Sequence, residues 1–387
     1  MARQWVAMGL LLGTVSMTAG NGYDSVEFKA EKKDGRDLVF EKMVYENVNI
    51  PHRIFVSAVN RMYQFDENLS MVSMVDIGPQ EDNPLCPVRM VATTTCESPV
   101  TAMDVHSKAF LIDYDNKVLI NCISLFQGVC WKFDLDNINH QIKTVETNKN
   151  IVANNETAST YAFIADSMDE KTKTKKRALY VGVQYVEKGW NRKKIPAFAS
   201  YRLDNYELVH DDISLYKTMI NTDSNLKVTF PIYYKYGFSS ENFSYMITVQ
   251  KNSTDQSKES YISKIFRVCQ NDIKFVTYAE LHIQCFHSGT LYSLAQTAYL
   301  GKAGKNLAEA MGINVSEDVL YVTFSLGPPR SPDPNKASAI CVYPMRNIRE
   351  QFTKNTQDCF RGQGNTGPPH FFKSTPCVDA GVRLIIS

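Results

Sequence analysis

Short apolar runs alternate with polar turn residues along most of this chain. In the first group, the apolar runs 54–59, 62–65 and 71–77 are separated by polar residues and end at Gly78-Pro79. Runs of about 4 to 8 residues bounded by Gly, Pro, Asn and Asp are typical of antiparallel strands joined by tight turns. The pattern therefore predicts a meander of β-strands.

The same pattern recurs further along the chain. A second predicted meander comprises 109–114, 118–124 and 129–134, with a turn at Asp115 and Asn116. Later predicted strands are 178–186, 230–238, 243–250, 261–269 and 318–324. Only 304–311 and 344–352 carry helical patterns. Successive short meanders favour a propeller over a single sandwich, because each propeller blade is a four-stranded sheet.

The first twenty residues have the features of a secretory signal peptide. They contain a basic start at Arg3, an apolar run over 5–15, and small residues before a predicted cleavage after Gly20. The apolar run is shorter than the roughly 20 residues that a membrane span requires. No later segment has an uninterrupted apolar run of that length, so we expect a secreted product.

Sites for N-linked glycans agree with this route. Asn-x-Ser/Thr sequences are acceptors when they are exposed in the secretory pathway. The candidates are Asn68, Asn155, Asn242, Asn252 and Asn314.

Charge excludes some partners. The chain has 42 basic and 41 acidic residues, so it lacks the basic excess typical of proteins that bind nucleic acid or acidic membranes. The one basic concentration is 171–177, followed by Lys188 and 192–194. We interpret it as a solvated loop beside a strand, and a heparan-sulfate or acidic-protein site is the alternative.

The cysteines point to disulfides. Cys122 and Cys130 flank a turn near Phe126 and Gln127, and facing residues of antiparallel strands lie close enough to be bridged. Cys86 and Cys96 are a second local candidate pair. The chain has nine cysteines, so at least one has no partner within the molecule, and counting alone does not identify it.

A metal site at His282, Cys285 and His287 is an alternative use of cysteine. It lacks a clear fourth ligand, and a secreted protein favours disulfides. We therefore predict neither a metal nor any other cofactor.

No nucleophile elbow, zinc-protease motif or complete phosphate loop occurs in the sequence. The neighbouring acids Asp134 and Asp136, and likewise Asp211 and Asp212, are the nearest approach to a glycosidase pair. Neighbours in sequence seldom face each other across a cleft, so we predict no catalytic residue. Four aromatic residues between 233 and 238 are interpreted as blade packing.

Seven stretches of the chain carry a recognisable order of motifs: 80–86, 116–138, 230–240, 263–269, 301–308, 338–341 and 358–364. Together they resemble the sema domain of plexins, which are cell-surface receptors for semaphorins. The resemblance runs in order from about residue 40 to about residue 375.

The resemblance implies a seven-bladed, all-β propeller that is incomplete at its C-terminus. It also implies the disulfides Cys86–Cys96, Cys122–Cys130, Cys285–Cys341 and Cys359–Cys377. In that pattern Cys269 pairs with a cysteine beyond the last residue of this sequence, which leaves Cys269 unpaired here.

The expected organisation is a signal peptide at 1–20, a partial sema domain at 21–377 and a divergent tail at 378–387. The implied function is the non-catalytic extracellular semaphorin-binding module of a plexin-like receptor, a class associated with axon guidance, with no small-molecule substrate. A soluble decoy and a non-functional truncated fragment are alternatives. More remote ones are a semaphorin, a growth-factor-receptor-type sema domain and a secreted hydrolase. The ligand-contacting residues remain unknown from sequence.

Overall fold

The computed structural model describes residues 28, 38–49, 51–87, 96, 98–142, 150–170, 172–190, 195–211, 217–255, 260–328, 330–363 and 377. The predicted signal peptide and the predicted tail lie outside these residues. The chain divides into two compact units. Unit 1 is 1–148 with 154–156, and unit 2 is 149–153 with 157–387.

Unit 1 contains two four-stranded antiparallel sheets, called blade 1 and blade 2. Blade 1 has the order β1-β2-β3-β4, and blade 2 has the order β10-β9-β8-β7. Strands of blade 1 are β1 (Phe40–Glu46), β2 (Arg53–Ala58), β3 (Arg61–Asp66) and β4 (Met71–Asp76). Between the blades in sequence, β5 (Gln80–Asp82) pairs with β6 (Thr101–Met103). Strands of blade 2 are β7 (Ser107–Asp113), β8 (Val118–Ile123), β9 (Cys130–Asp134) and β10 (Gln141–Ile142).

The core of unit 1 forms where blade 1 packs on blade 2. Phe55 and Met62 of blade 1 share one buried cluster with Leu119 and Ile123 of blade 2. All six residues of β8 are buried, and five of them are apolar, with Asn121 as the exception, because a strand covered on both faces needs no polar alternation.

Unit 2 contains three further sheets, blades 3 to 5. Blade 3 comprises β11 (Thr160–Asp169), β12 (Thr174–Val183), β13 (Phe198–Arg202) and β14 (Met219–Ile220). Blade 4 comprises β15 (Ile232–Ser240), β16 (Phe243–Lys251), β17 (Tyr261–Cys269) and β18 (Ala279–Ile283). A hairpin of β19 (Cys285–His287) and β20 (Thr290–Tyr292) precedes blade 5, whose strands are β21 (Leu294–Lys302), β22 (Asp318–Ser325) and β23 (Ser338–Pro344).

Blade 4 is covered on both faces, as the alternating side-chain directions along β16 show. Tyr245, Ile247 and Val249 enter a cluster shared with blade 5, whereas Met246 enters a cluster shared with blade 3. Successive side chains of a strand point to opposite faces, so this one apolar run supplies two cores.

Two helices accompany blade 5, α1 (Lys305–Met311) and α2 (Met345–Phe360). Helix α2 follows Pro344, whose fixed φ suits the start of a helix. Its buried residues Met345, Ile348 and Phe352 recur at three- and four-residue spacing and pack into the cluster shared by blades 4 and 5. The predicted helix at 344–352 is thus confirmed, but it continues to Phe360.

Candidate functional site

All nine cysteines lie among the described residues. The structure joins Cys86–Cys96, Cys122–Cys130, Cys285–Cys341 and Cys359–Cys377. Cys269, at the end of β17, is half-buried and carries a free thiol. The β8–β9 register places Cys122 directly opposite Cys130, so this bond staples the hairpin of blade 2.

The turn inside this hairpin is fixed by hydrogen bonds to the segment 82–86. Phe126 and Gln127 have positive φ angles of 52° and 64°. The Asp82 carboxylate accepts the amide of Phe126 at 2.8 Å, and Gln127 Nε2 donates to the carbonyls of Pro84 and Cys86 at 2.7 and 2.8 Å. The turn therefore has a structural role, since it ties the loop that carries Cys86 to blade 2.

The predicted glycan acceptors lie in turns and loops. Asn68, Asn242, Asn252 and Asn314 are exposed, and Asn155 is half-buried. Asn314 Oδ1 accepts the amide and the hydroxyl of Ser316, the third residue of its own acceptor sequence, at 2.9 and 2.8 Å. Glycosylation at the five positions stays a prediction.

Two side chains of the basic run form ion pairs in the part of it that the structure describes. Exposed Lys176 meets Asp169 at 2.7 Å, and Arg177 meets Asp166 at 3.4 Å, across the β11–β12 hairpin. Lys175 Nζ donates to Asn242 Oδ1 at 2.5 Å. The two ion pairs offset part of the local positive charge, which fits the interpretation of this run as a solvated surface. Residues 171 and 191–194 lie outside the described residues.

Residues of the alternative metal and glycosidase sites have structural contacts instead. Cys285 is bonded to Cys341 and so supplies no thiolate to a metal. Asp134 Oδ1 accepts the amide of Asp136 at 2.8 Å, and the Asp136 carboxylate meets Arg53 at 3.0 Å. Asp211 is paired with Lys217 at 2.5 Å, while Asp212 lies outside the described residues.

The predicted aromatic packing is found at β15. Tyr234 and Phe238 are buried, and the Tyr234 hydroxyl donates to the carbonyl of Ala197 in blade 3. Burial raises the pKa of the Tyr234 hydroxyl well above its usual range, because its phenolate would be poorly solvated. This side chain therefore joins two blades and is unsuited to contact a ligand.

The short β19–β20 hairpin of unit 2 exposes two neighbouring apolar side chains. Phe286 and Leu291 are directly opposite each other in its register and are 65% and 43% exposed. The hairpin is anchored to β23 by the Cys285–Cys341 bond, and the Tyr343 hydroxyl donates to the carbonyl of Gln284 at 2.7 Å. We call Phe286 and Leu291 the apolar tip.

Sequence reasoning missed the apolar tip because it considered 282–287 only for its possible metal ligands and for the disulfide of Cys285. The available signal was an apolar residue directly after a cysteine in a three-residue strand. Its exposure could not be read from the sequence, since that depends on how the disulfide anchors the hairpin.

The blades can now be compared with known proteins. The Sema domain profile matches residues 295–381. Human Plexin-A4 is 31% identical over 374 residues, which cover 92% of this chain and 19% of that protein. Mouse Plexin-A2 is 33% identical over 321 residues, covering 81% of this chain and 17% of that protein. The solved extracellular region of Plexin A4, domains 1 to 8, superposes with a TM-score of 0.76 at 30% identity, covering 89% of this chain and 38% of that one.

These similarities define the class first: residues 295–381 match the Sema domain, and five of the described sheets are blades of an all-β propeller fold. Within that class it is homologous to the A-type plexins over most of its length, which confirms the resemblance found in its motifs. The chain spans about a fifth of the length of the curated relatives it matches. In the described part of the chain, no helix combines the length and apolar character needed to cross a bilayer.

Proposed function

We propose that this chain is the extracellular, non-catalytic semaphorin-binding module of a plexin-like receptor. The observation that carries the proposal is the homology to plexins over 92% of the chain, together with the fold shared with the Plexin A4 extracellular region. The domain organisation, the secretory route and a total of seven blades, each expected from the sequence, belong to the same proposal.

Within this proposal the apolar tip is the part of unit 2 best suited to contact the protein ligand. Exposed aromatic side chains supply much of the binding energy of protein interfaces. A surface that is already rigid loses less conformational entropy on binding, and the disulfide to β23 restrains this hairpin. The tip carries no glycan acceptor sequence, so a sugar chain would not be attached to it.

Binding to a panel of semaphorin ectodomains tests the function. The probe is the purified, monodisperse chain carrying Cys269→Ser, which prevents intermolecular disulfides, measured by surface plasmon resonance. We expect saturable binding to at least one member. A folded, monodisperse protein that binds none of them refutes the function.

A second experiment tests the surface separately. Phe286→Ala should weaken binding by about tenfold or more, as truncation of a central aromatic contact does. Val276→Ala is the matched control, because Val276 is 63% exposed but lies in the turn before β18, away from the apolar tip. Binding that survives Phe286→Ala unchanged leaves the receptor function in place and refutes the role of the tip.

A further inference from the structure

A histidine in unit 1 lies between two carboxylates from different segments. His106 Nδ1 is 2.7 Å from Glu41 Oε1 of β1, and His106 Nε2 is 3.4 Å from Glu156 Oε2. The other Glu41 oxygen accepts the amide of Ser107 at 2.6 Å, which orients that carboxylate toward the imidazole.

The backbone of the histidine is also held in place. His106 N donates to Ser124 Oγ at 3.2 Å, and Ser124 N donates to the carbonyl of His106 at 2.9 Å. The imidazole therefore lies at a fixed point of blade 2, while Glu156 belongs to the short segment 154–156 that is part of unit 1.

Two lysines complete the charged surroundings. Lys108 Nζ donates to the carbonyl of Glu156 at 2.6 Å, and burial lowers the pKa of Lys108 to about 8. Lys42 of β1 is close enough to lower the pKa of Lys108 further by repulsion. The groups that face the site are thus Glu41 and Lys42 from β1, Lys108 from β7, and Glu156.

The protonation state of His106 decides how many of these contacts it can make. A neutral imidazole has one N–H and can donate to only one of the two carboxylates. The protonated ring donates from both nitrogens and attracts both negative charges.

We propose that Glu41, His106 and Glu156 form a proton-dependent clasp, which holds segment 154–156 to blade 2 while the imidazole is protonated and loosens it when the proton leaves. The segment contains Asn155, a predicted glycan acceptor, so the clasp would also govern how freely that position is presented.

The sign of the pH dependence follows from the contacts. The hydrogen bond that His106 donates to Glu41 is the main cause that raises the pKa of His106 above its usual value, and the charge of Glu156 adds to it. A raised folded-state pKa means that the stabilisation is complete below the unfolded value of about 6.5 and is lost as pH rises through the folded value.

The test follows His106 and the segment together. In the full chain, labelled at histidine Cε1, NMR titration should place the midpoint of His106 above that of an unfolded histidine, and Glu156→Gln should lower it. Hydrogen exchange at the amides of 154–156 is corrected for the intrinsic effect of pH. It should be roughly fivefold faster at a pH above the His106 midpoint than at pH 6. In Glu156→Gln the exchange should be equally fast at both pH values.

Glu156 is 64% exposed, so its substitution should leave the fold intact. His140→Gln is the matched control, because His140 is 66% exposed and its nearest carboxylate oxygen, in Asp134, is 3.9 Å away. This control should leave exchange of the segment unchanged. The clasp is overturned if Glu156→Gln leaves the titration midpoint of His106 unchanged. It is also overturned if exchange at 154–156 is equal at both pH values in the native chain.

Discussion

Phe352 of α2 should be among the most costly side chains to remove from unit 2. It is fully buried and packs into the cluster shared by blades 4 and 5. The guanidinium of Arg267 lies 4.4 Å from its ring centroid and 4.1 Å from that of Phe243, so the cation is held between two aromatic faces. Phe352→Ala therefore creates a cavity and also exposes one side of Arg267.

The magnitude follows from these two effects. Complete truncation of a buried phenylalanine destabilises by about 3 to 5 kcal/mol, including the cavity that remains. Loss of one cation–π contact adds about 0.5 to 1 kcal/mol at a partly exposed site, and Arg267 keeps the contact with Phe243. We expect the free energy of local unfolding in unit 2 to fall by about 4 kcal/mol, which corresponds to a loss of close to a thousandfold in hydrogen-exchange protection.

Hydrogen exchange read by mass spectrometry on peptides from β16 and β17 measures this loss within unit 2. Phe360→Ala is the matched control on the same helix, because Phe360 is 44% exposed. It should change protection by less than about 1 kcal/mol. Equal effects of the two substitutions would refute the conclusion that α2 is anchored through Phe352.

Other outcomes follow from single contacts. Gly182→Ala should destabilise unit 2 by about 1 to 3 kcal/mol in urea unfolding, because the added Cβ would lie 2.1 Å from the ring of Tyr234; unchanged stability would contradict this packing. Replacing both Cys285 and Cys341 by alanine should cost about 4 kcal/mol, since their sequence separation of 56 closes a long loop, and a loss below about 1 kcal/mol would contradict a stabilising bond. Burial lowers the pKa of Lys108 to about 8, so the unfolded chain binds more protons between about pH 8 and 10.5 and stability should rise with pH there. Lys108→Met should remove that rise in thermal unfolding followed over this range.

Strands with compact apolar runs were predictable from sequence. The predicted strand at 243–250 corresponds to β16, and 261–269 corresponds to β17. Strands whose apolar residues are interrupted by polar or charged ones were missed, such as β1 and β11. Their pairing is decided by neighbouring strands and blades, which a local pattern does not contain.

Long-range contacts mark the limit of what spacing alone can predict. The pairing of Cys122 with Cys130 could be predicted from sequence because both cysteines flank one turn. The bond between Cys285 and Cys341 came only from the family resemblance, and its consequence, the exposed position of Phe286, required coordinates. The polar second half of α2 was missed because it carries no apolar periodicity.

The free thiol of Cys269 offers a chemical readout of correct folding. Cys122, Cys130 and Cys285 are at most 4% exposed, so a reductant reaches their disulfides only when a blade opens. Cys269 is half-buried at the end of a strand and is accessible without reduction. A brief alkylation should therefore label Cys269 alone in the native protein, whereas scrambled disulfides would distribute the label over several cysteines. Mapping the label on peptides of the chain that retains Cys269 could then separate native from misfolded preparations.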